Sequence, residues 1–295
     1  MILDSLTQAV GNTPVVRLRS LEPPGVEIFA KLEWFNPGGS VKDRAALRIV
    51  QEALPDLRGR TLIDSTSGNT GIAYSWIGAA LHVPVALVMP GNVSEARKRI
   101  TRHFGAQIIY SDAQELSDGA IRLARALVEA EPSKWFYADQ YSNQANPRAH
   151  ELGTAREIWE QTAGRVTHVV LGIGTGGTVM GTGRGLRARN PDVRIVAVEP
   201  AEPLHGLEGL KHMPSSILPP IYDEAQLDRK LSIATDAGWD MAERLIRDEG
   251  LLAGHSAGAA AAGAARIARE LSDAGESGVV VTLFPDRADR YSPPP

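Results

Sequence analysis

No cysteine occurs anywhere in the 295-residue chain. That excludes disulfides, thiolate metal sites, iron–sulfur clusters and a cysteine nucleophile. Long apolar runs are missing as well, and nothing approaches the roughly 18 residues of a membrane span. The nearest is the alanine-rich HSAGAAAAGAARIA, which is short and carries His255, Ser256 and Arg266. The opening MILDSLTQAVGNTP has no basic segment leading into an apolar core, so no secretory signal is read and a cytoplasmic protein is expected. Nor is there an excess of positive charge. The net charge is −4 with both signs interspersed, which gives no reason to expect nucleic acid or a membrane surface as partner. The basic cluster Arg97, Lys98, Arg99 and Arg102 follows Ser94-Glu95-Ala96 and reads as the solvated face of a helix. The histidines show no ligand spacing, so no metal site is expected.

What is present is alternation. The apolar runs VEIFAKLEW, TLIDS, PVALVMP, AQIIYS and WFYAD precede Gln140, and THVVLGIG, RIVAVEP and GVVVTLF follow it, with amphipathic segments between them. That pattern predicts an α/β protein with largely parallel sheets. The doubling on either side of Gln140 predicts two lobes with a cleft between them. Residues 201–232 show neither helical nor strand period and hold several prolines, which suggests a lid or substrate loop. The terminal YSPPP reads as a frayed end.

Four glycine- or hydroxyl-rich stretches carry candidate chemistry. THVVLGIGTGGT contains Gly172-x-Gly174-x-x-Gly177 after an apparent strand, and Glu199 ends the next one. This spacing suits a dinucleotide, with Glu199 on a ribose, or a single phosphate at a helix N-terminus. In NPGGSVKDR the Asn-Pro-Gly-Gly turn leads to Ser40 as a cap and puts Lys42 in the first helical turn. There the helix dipole opposes its charge and lowers its pKa, as a Schiff-base lysine requires. STSGNTG, Ser65 to Gly71, joins a strand to a helix; it suits a bound carboxylate, or simply a turn capped by Ser67 or Asn69. In AGHSAGAA, Ser256 could cap the last helix.

In this order the motifs NPGGSVKDR, SGNTG, GTGGT and the serine of GHSAG resemble the cysteine synthase (O-acetylserine sulfhydrylase) and cystathionine β-synthase family of pyridoxal-phosphate enzymes, with its tryptophan-synthase β-like fold. The resemblance runs from GNTPVVRL at residues 11–18 to PDRADRY at 285–291. It implies that Lys42 forms the imine with pyridoxal 5′-phosphate and that Asn69 contacts the ring oxygen. Thr66, Ser67, Asn69, Thr70 and Gln140 would hold the substrate carboxylate. Gly174, Thr175, Gly176, Gly177 and Thr178 would surround the cofactor phosphate, and Ser256 would face the pyridine nitrogen. A neutral hydroxyl there leaves the ring a weaker electron sink, which favours prompt β-elimination. The implied reaction is β-replacement through an aminoacrylate, forming L-cysteine from O-acetyl-L-serine or O-phospho-L-serine and a sulfur donor.

Lys211 falls where relatives using O-phosphoserine carry an arginine, so it either meets an anionic leaving group or is a solvated loop lysine. A dehydratase would show a histidine after SGN and four glycines at the phosphate loop, and this chain has Thr70 and GTGGT instead. Condensation of serine with homocysteine, as in cystathionine β-synthase, is one alternative; a non-catalytic pyridoxal-phosphate- or dinucleotide-binding protein is another. The resemblance implies a homodimer, with a serine acetyltransferase or a sulfur-carrier protein as further candidate partners. It also implies a smaller mobile lobe over residues 38–142 and a larger lobe made of 1–37 plus 143–295.

Overall fold

The computed structural model describes residues 2–291; the tail beyond Tyr291, residues 292–295 of YSPPP, lies outside them. A short strand β1 (Val15–Arg17) pairs antiparallel with β2 (Val26–Leu32). Helix α1 (Lys42–Leu57) leads into a run of strand and helix units: β3 (Thr61–Ser65), α2 (Asn69–Leu81), β4 (Val85–Pro90), α3 (Glu95–His103), β5 (Gln107–Ser111), α4 (Leu116–Ala130) and β6 (Trp135–Tyr137). A short helix α5 (Ala145–Ala149) passes through a π turn at His150–Thr154 into α6 (Ala155–Gln161). Then come β7 (His168–Gly172), α7 (Gly177–Arg187), β8 (Arg194–Pro200), β9 (Arg229–Ile233), α8 (Thr235–Glu249), α9 (His255–Asp273) and β10 (Gly278–Phe284).

The strands form two sheets. One has the order β1-β2-β10-β7-β8-β9, parallel except at β1, and the other is the all-parallel β5-β4-β3-β6. Helices cover both faces, so β4 is buried along its whole length and reads as an unbroken apolar run. Helix α1 shows the matching period, burying Ala46, Ile49, Val50, Ala53 and Leu57 on one stripe. Ile49, Val50 and Leu57 each contribute about 1.5–3 kcal/mol by this burial, the two alanines less. The alanine-rich α9 is a core helix. A Cβ on Gly258 would lie 2.1 Å from the Gly238 carbonyl oxygen, so only a bare backbone lets α8 and α9 approach this closely. No helix among the described residues is long and apolar enough to cross a membrane.

Strand β9 corrects the expected irregular segment, which ends near residue 228. RKLSI lies at a sheet edge with Arg229 and Lys230 half-exposed, so its apolar signal is weak. What positions the site is the direction of the strands: β3, β7 and β10 end at Ser65, Gly172 and Phe284, and a candidate loop follows each. Ligands of open parallel sheets bind at such carboxyl ends.

Candidate active site

Lys42 is the first residue of α1. Gly39, at φ +74°, donates to the Asn36 carbonyl at 2.7 Å and closes the preceding turn. Ser40 Oγ accepts from the Lys42 backbone N–H at 3.3 Å. The Asp43 carboxylate fastens the turn from the other side, accepting from Gly38 N at 2.5 Å and Trp76 Nε1 at 3.0 Å. The Lys42 amine faces a cavity, and burial pushes its pKa down against the opposing pull of Asp286 and Glu33. Desolvation is thus the main cause of the shift, and the helix field expected from the sequence acts in the same direction.

At the start of α2 neither Ser67 nor Asn69 caps the helix, whose N-cap Gly68 has no side-chain partner. Thr66 takes that role instead, its Oγ1 accepting from the N–H groups of Gly68 at 3.2 Å and Gly71 at 3.1 Å. Thr70 Oγ1 donates to Gln140 Oε1 at 2.9 Å, and Gln140 Nε2 donates to the Ser65 carbonyl at 2.7 Å. Gln140 N donates to Asp64, whose carboxyl burial pushes up to about 7.

At the start of α7, Gly176 has φ +89°, and a Cβ on Gly174 would meet the Gly209 carbonyl oxygen at 2.5 Å. The N-cap Gly176 offers α7 no side chain; Thr175 Oγ1 accepts from the Gly177 N–H at 3.4 Å, and the N–H groups after it are available to an anion. Thr175 Oγ1 accepts from Asn146 Nδ2 at 2.9 Å, and the same nitrogen donates to the Gln140 carbonyl at 2.7 Å. Thr178 Oγ1 lies 3.3 Å from Nε2 of His150, which burial together with Arg44 lowers to about 3 and so keeps neutral. Ser256 is buried as the second residue of α9; no side chain caps that helix, whose N-cap is Gly254.

One cavity of about 610 Å³ is lined by Lys42, Thr66, Ser67, Asn69, Thr70, Gln140, Gly174, Thr175, Gly176, Thr178, Lys211 and Ser256. Gly177 packs behind it against Asn146. Lys211 is already engaged: its Nζ bonds Asp118 Oδ1 at 3.1 Å and the Ile217 carbonyl at 3.4 Å, over the Tyr141 ring. Glu199 serves the fold, accepting from Met213 N at 3.2 Å and pairing with Lys230 at 3.4 Å.

Two groups were not anticipated from the sequence. Asn69 is gripped on both sides by the segment after β10: its Nδ2 donates to Asp286 Oδ2 at 2.5 Å, and its Oδ1 accepts from Arg290 Nη1 at 2.8 Å. Tyr291 also donates to Asp286, whose pKa burial raises. The available signal was the position of PDRADRY directly after a parallel strand. The second is Arg97, expected on a solvated face. It turns into the cavity wall, and Lys98 is buried with its Nζ on the Gly91 carbonyl and Glu95, leaving Arg99 and Arg102 exposed. Tertiary acceptors on the inner side of α3 override the local polarity.

These residues fit pyridoxal phosphate. The α7 start, with bare glycines, free N–H groups beyond Gly177 and two threonines, suits a terminal phosphate, and a buried amine of lowered pKa stands in the same cavity.

A family model described as "Pyridoxal-phosphate dependent enzyme" matches residues 6–286. A cysteine synthase of Aquifex aeolicus is 50% identical over 98% of this chain and 90% of its own length. Among solved structures, an O-acetylserine sulfhydrylase of Entamoeba histolytica matches with TM-score 0.92 at 35% identity, covering 99% of this chain and 90% of that one. An O-acetylserine-dependent cystathionine β-synthase of Helicobacter pylori matches with TM-score 0.90 at 34% identity, covering 99% and 97%. On a family match over nearly its whole length and a cavity built for the cofactor, the chain belongs to the cysteine synthase and cystathionine β-synthase family of pyridoxal-phosphate-dependent enzymes.

Proposed function

We propose that this enzyme forms L-cysteine by β-replacement on O-acetyl-L-serine, the acetate group leaving the β-carbon and a sulfur nucleophile taking its place. The observation that carries this is the convergence of Lys42, the N-termini of α2 and α7, and Ser256 on one cavity. Bound pyridoxal phosphate supplies the electron sink that lets an α-proton leave. Gly174 to Thr178 would hold its phosphate, with Ser256 toward its pyridine nitrogen and Asn69 toward its ring oxygen. The α2 N-terminus, with Thr66, Ser67, Thr70 and Gln140, binds the substrate carboxylate and aims the α-carbon at Lys42. Lys42, with its lowered proton affinity, takes the α-proton at Nζ and returns it after the nucleophile has added. The neutral Ser256 hydroxyl favours elimination over a long-lived carbanion. Residues 38–142 act as the smaller lobe, closing over the carboxylate.

The choice of donor rests on Lys211. Its ammonium is held by Asp118 and by the Ile217 carbonyl, and only 11% of its side chain is exposed. A phosphate ester would have to displace Asp118, whereas an acetyl ester carries no charge to accommodate. A second reading concerns only the nucleophile: the Helicobacter pylori relative is described as an O-acetylserine-dependent cystathionine β-synthase, which keeps the donor and changes the thiol. Steady-state turnover of O-acetylserine, O-phosphoserine and serine crossed with sulfide, thiosulfate and homocysteine tests both. O-acetylserine with sulfide should be fastest, with its advantage over O-phosphoserine unchanged in Lys211→Ala. A protein that takes up no pyridoxal phosphate, or that prefers O-phosphoserine, would refute the proposal.

A further inference from the structure

Arg97 has no part in the roles above, yet its guanidinium joins three separate segments at the cavity mouth. Nη1 donates to the Ser67 carbonyl at 3.3 Å, Nη2 pairs with Glu208 at 2.9 Å, and the group lies 5.3 Å from the centroid of the Tyr291 ring. The Arg97 side chain is 13% exposed while that of Glu208 keeps 54%. Nε is buried with no hydrogen-bond partner among the described residues. The guanidinium lies against Gly68, at van der Waals distance (3.9 Å) from where a Cβ would stand.

A planar fork suits these demands better than an ammonium would, because it reaches two acceptors in different directions while stacking on an aromatic face. The contacts differ in strength. An ion pair to a half-exposed carboxylate is weak and screened, so the Glu208 contact can break and re-form as the mouth opens. The bond to Ser67 is a charged donor on an exposed backbone carbonyl, made by an arginine whose own side chain is largely buried, and it holds the peptide that follows. The Ser67–Gly68 peptide belongs to the loop assigned above to the substrate carboxylate.

We propose that Arg97 is a positioning residue for the amino-acid substrate, holding the Ser67–Gly68 peptide from behind and gathering Glu208 and Tyr291 around it. The inference rests on the proposed function of that loop. None of the Arg97 contacts touches the loop at α7 assigned to the cofactor phosphate, so loss of Arg97 acts on amino-acid binding more strongly than on cofactor binding.

The test titrates holoenzyme with L-alanine, which has no leaving group on its β-carbon, and follows the visible spectrum; in parallel, apoenzyme is titrated with pyridoxal phosphate. Arg97→Ala should raise the alanine Kd several-fold, as loss of an exposed charged hydrogen bond implies, with a clearly smaller change in cofactor affinity. The KM for O-acetylserine should rise while kcat is largely kept. Arg97→Lys should recover part of the loss, and Glu208→Gln should give a smaller rise than Arg97→Ala. An unchanged alanine Kd in Arg97→Ala, or a parallel fall in cofactor affinity, overturns the inference alone. A wild type that takes up no cofactor overturns the proposed function and this inference with it.

Discussion

Replacing Arg44 by methionine removes the centre of a buried charge network two residues after Lys42. Arg44 bonds Glu33 through Nε at 2.6 Å and Nη2 at 2.8 Å, and Glu157 through Nη1 and Nη2 at 2.7 Å each. Lys31 Nζ joins Glu157 at 2.7 Å, and none of the four side chains is more than 5% exposed. Two cations balance two carboxylates, and together they pin the start of α1 to β2 and α6. Arg44→Met leaves one carboxylate uncompensated in a dry interior, a loss of about 3–5 kcal/mol. At about 1.6 °C per kcal/mol for a chain of this size, the Tm of the apoenzyme should fall by roughly 5–8 °C. The apoenzyme is the form to melt, because bound cofactor would add its own stabilisation. Glu157 keeps Lys31, so the stranded carboxylate is Glu33; adding Glu33→Gln removes that charge, and the double variant should lose less than the sum of the single losses by about 1–3 kcal/mol. Strict additivity in urea and thermal melts would refute charge balance as the source of stability. The acid limb gives an independent check. Burial opposes ionisation of Glu157, but Arg44 and Lys31 outweigh it and hold the carboxyl near about 2 against an ordinary 4.5. With the folded pKa below the unfolded one, this stabilisation is present above about pH 4.5 and lost as the pH falls toward 2. Arg44→Met should therefore flatten the acid limb of the stability curve.

Competitive acetylation of the apoenzyme, read by mass spectrometry across a pH series, should show Lys42 becoming reactive at lower pH than the exposed lysines, because burial lowers its pKa; titration alongside them would contradict the assignment. Gly177→Ala should weaken pyridoxal phosphate binding by tenfold or more, since its Cβ would fall 2.0 Å from Asn146 Oδ1 and push apart the residues that Asn146 ties together. Unchanged affinity in a cofactor titration would show that the loop yields. Asp118→Asn releases the Lys211 ammonium, so turnover of O-phosphoserine relative to O-acetylserine should rise several-fold. A constant ratio would remove Lys211 from any account of donor choice.

Local chemistry was the legible part of this molecule. The runs that became β3, β4, β7, β8 and β10 stand out because both of their faces are covered, which forces continuous apolar sequence. The turn at Asn36 to Ser40 and the glycines at 174 to 177 declare backbone demands that few other residues meet. The edge strand β9 was harder: RKLSI is short and charged at its first two positions. Pairings across the chain were invisible, because nothing local announces that Asn69 will be held by Asp286, 217 residues away. Arg97 shows the same limit, since a helix rich in arginine and lysine looks solvated until the fold supplies a carbonyl, a carboxylate and a ring on its inner side.

The place of β10 has a consequence for biosynthesis. The four-stranded sheet draws only on residues 61–137 and can pair as it leaves the ribosome. The other sheet cannot close, because β10 fits between β2 and β7 and is the last strand to be made. Until then β2 and β7 each present an unpaired edge, the kind of surface that recruits chaperones or aggregates. Asn69 must also wait for Asp286 and Arg290. A nascent chain thus finishes one half of the protein well before it can capture a cofactor, and truncated products should be apoprotein with exposed strand edges.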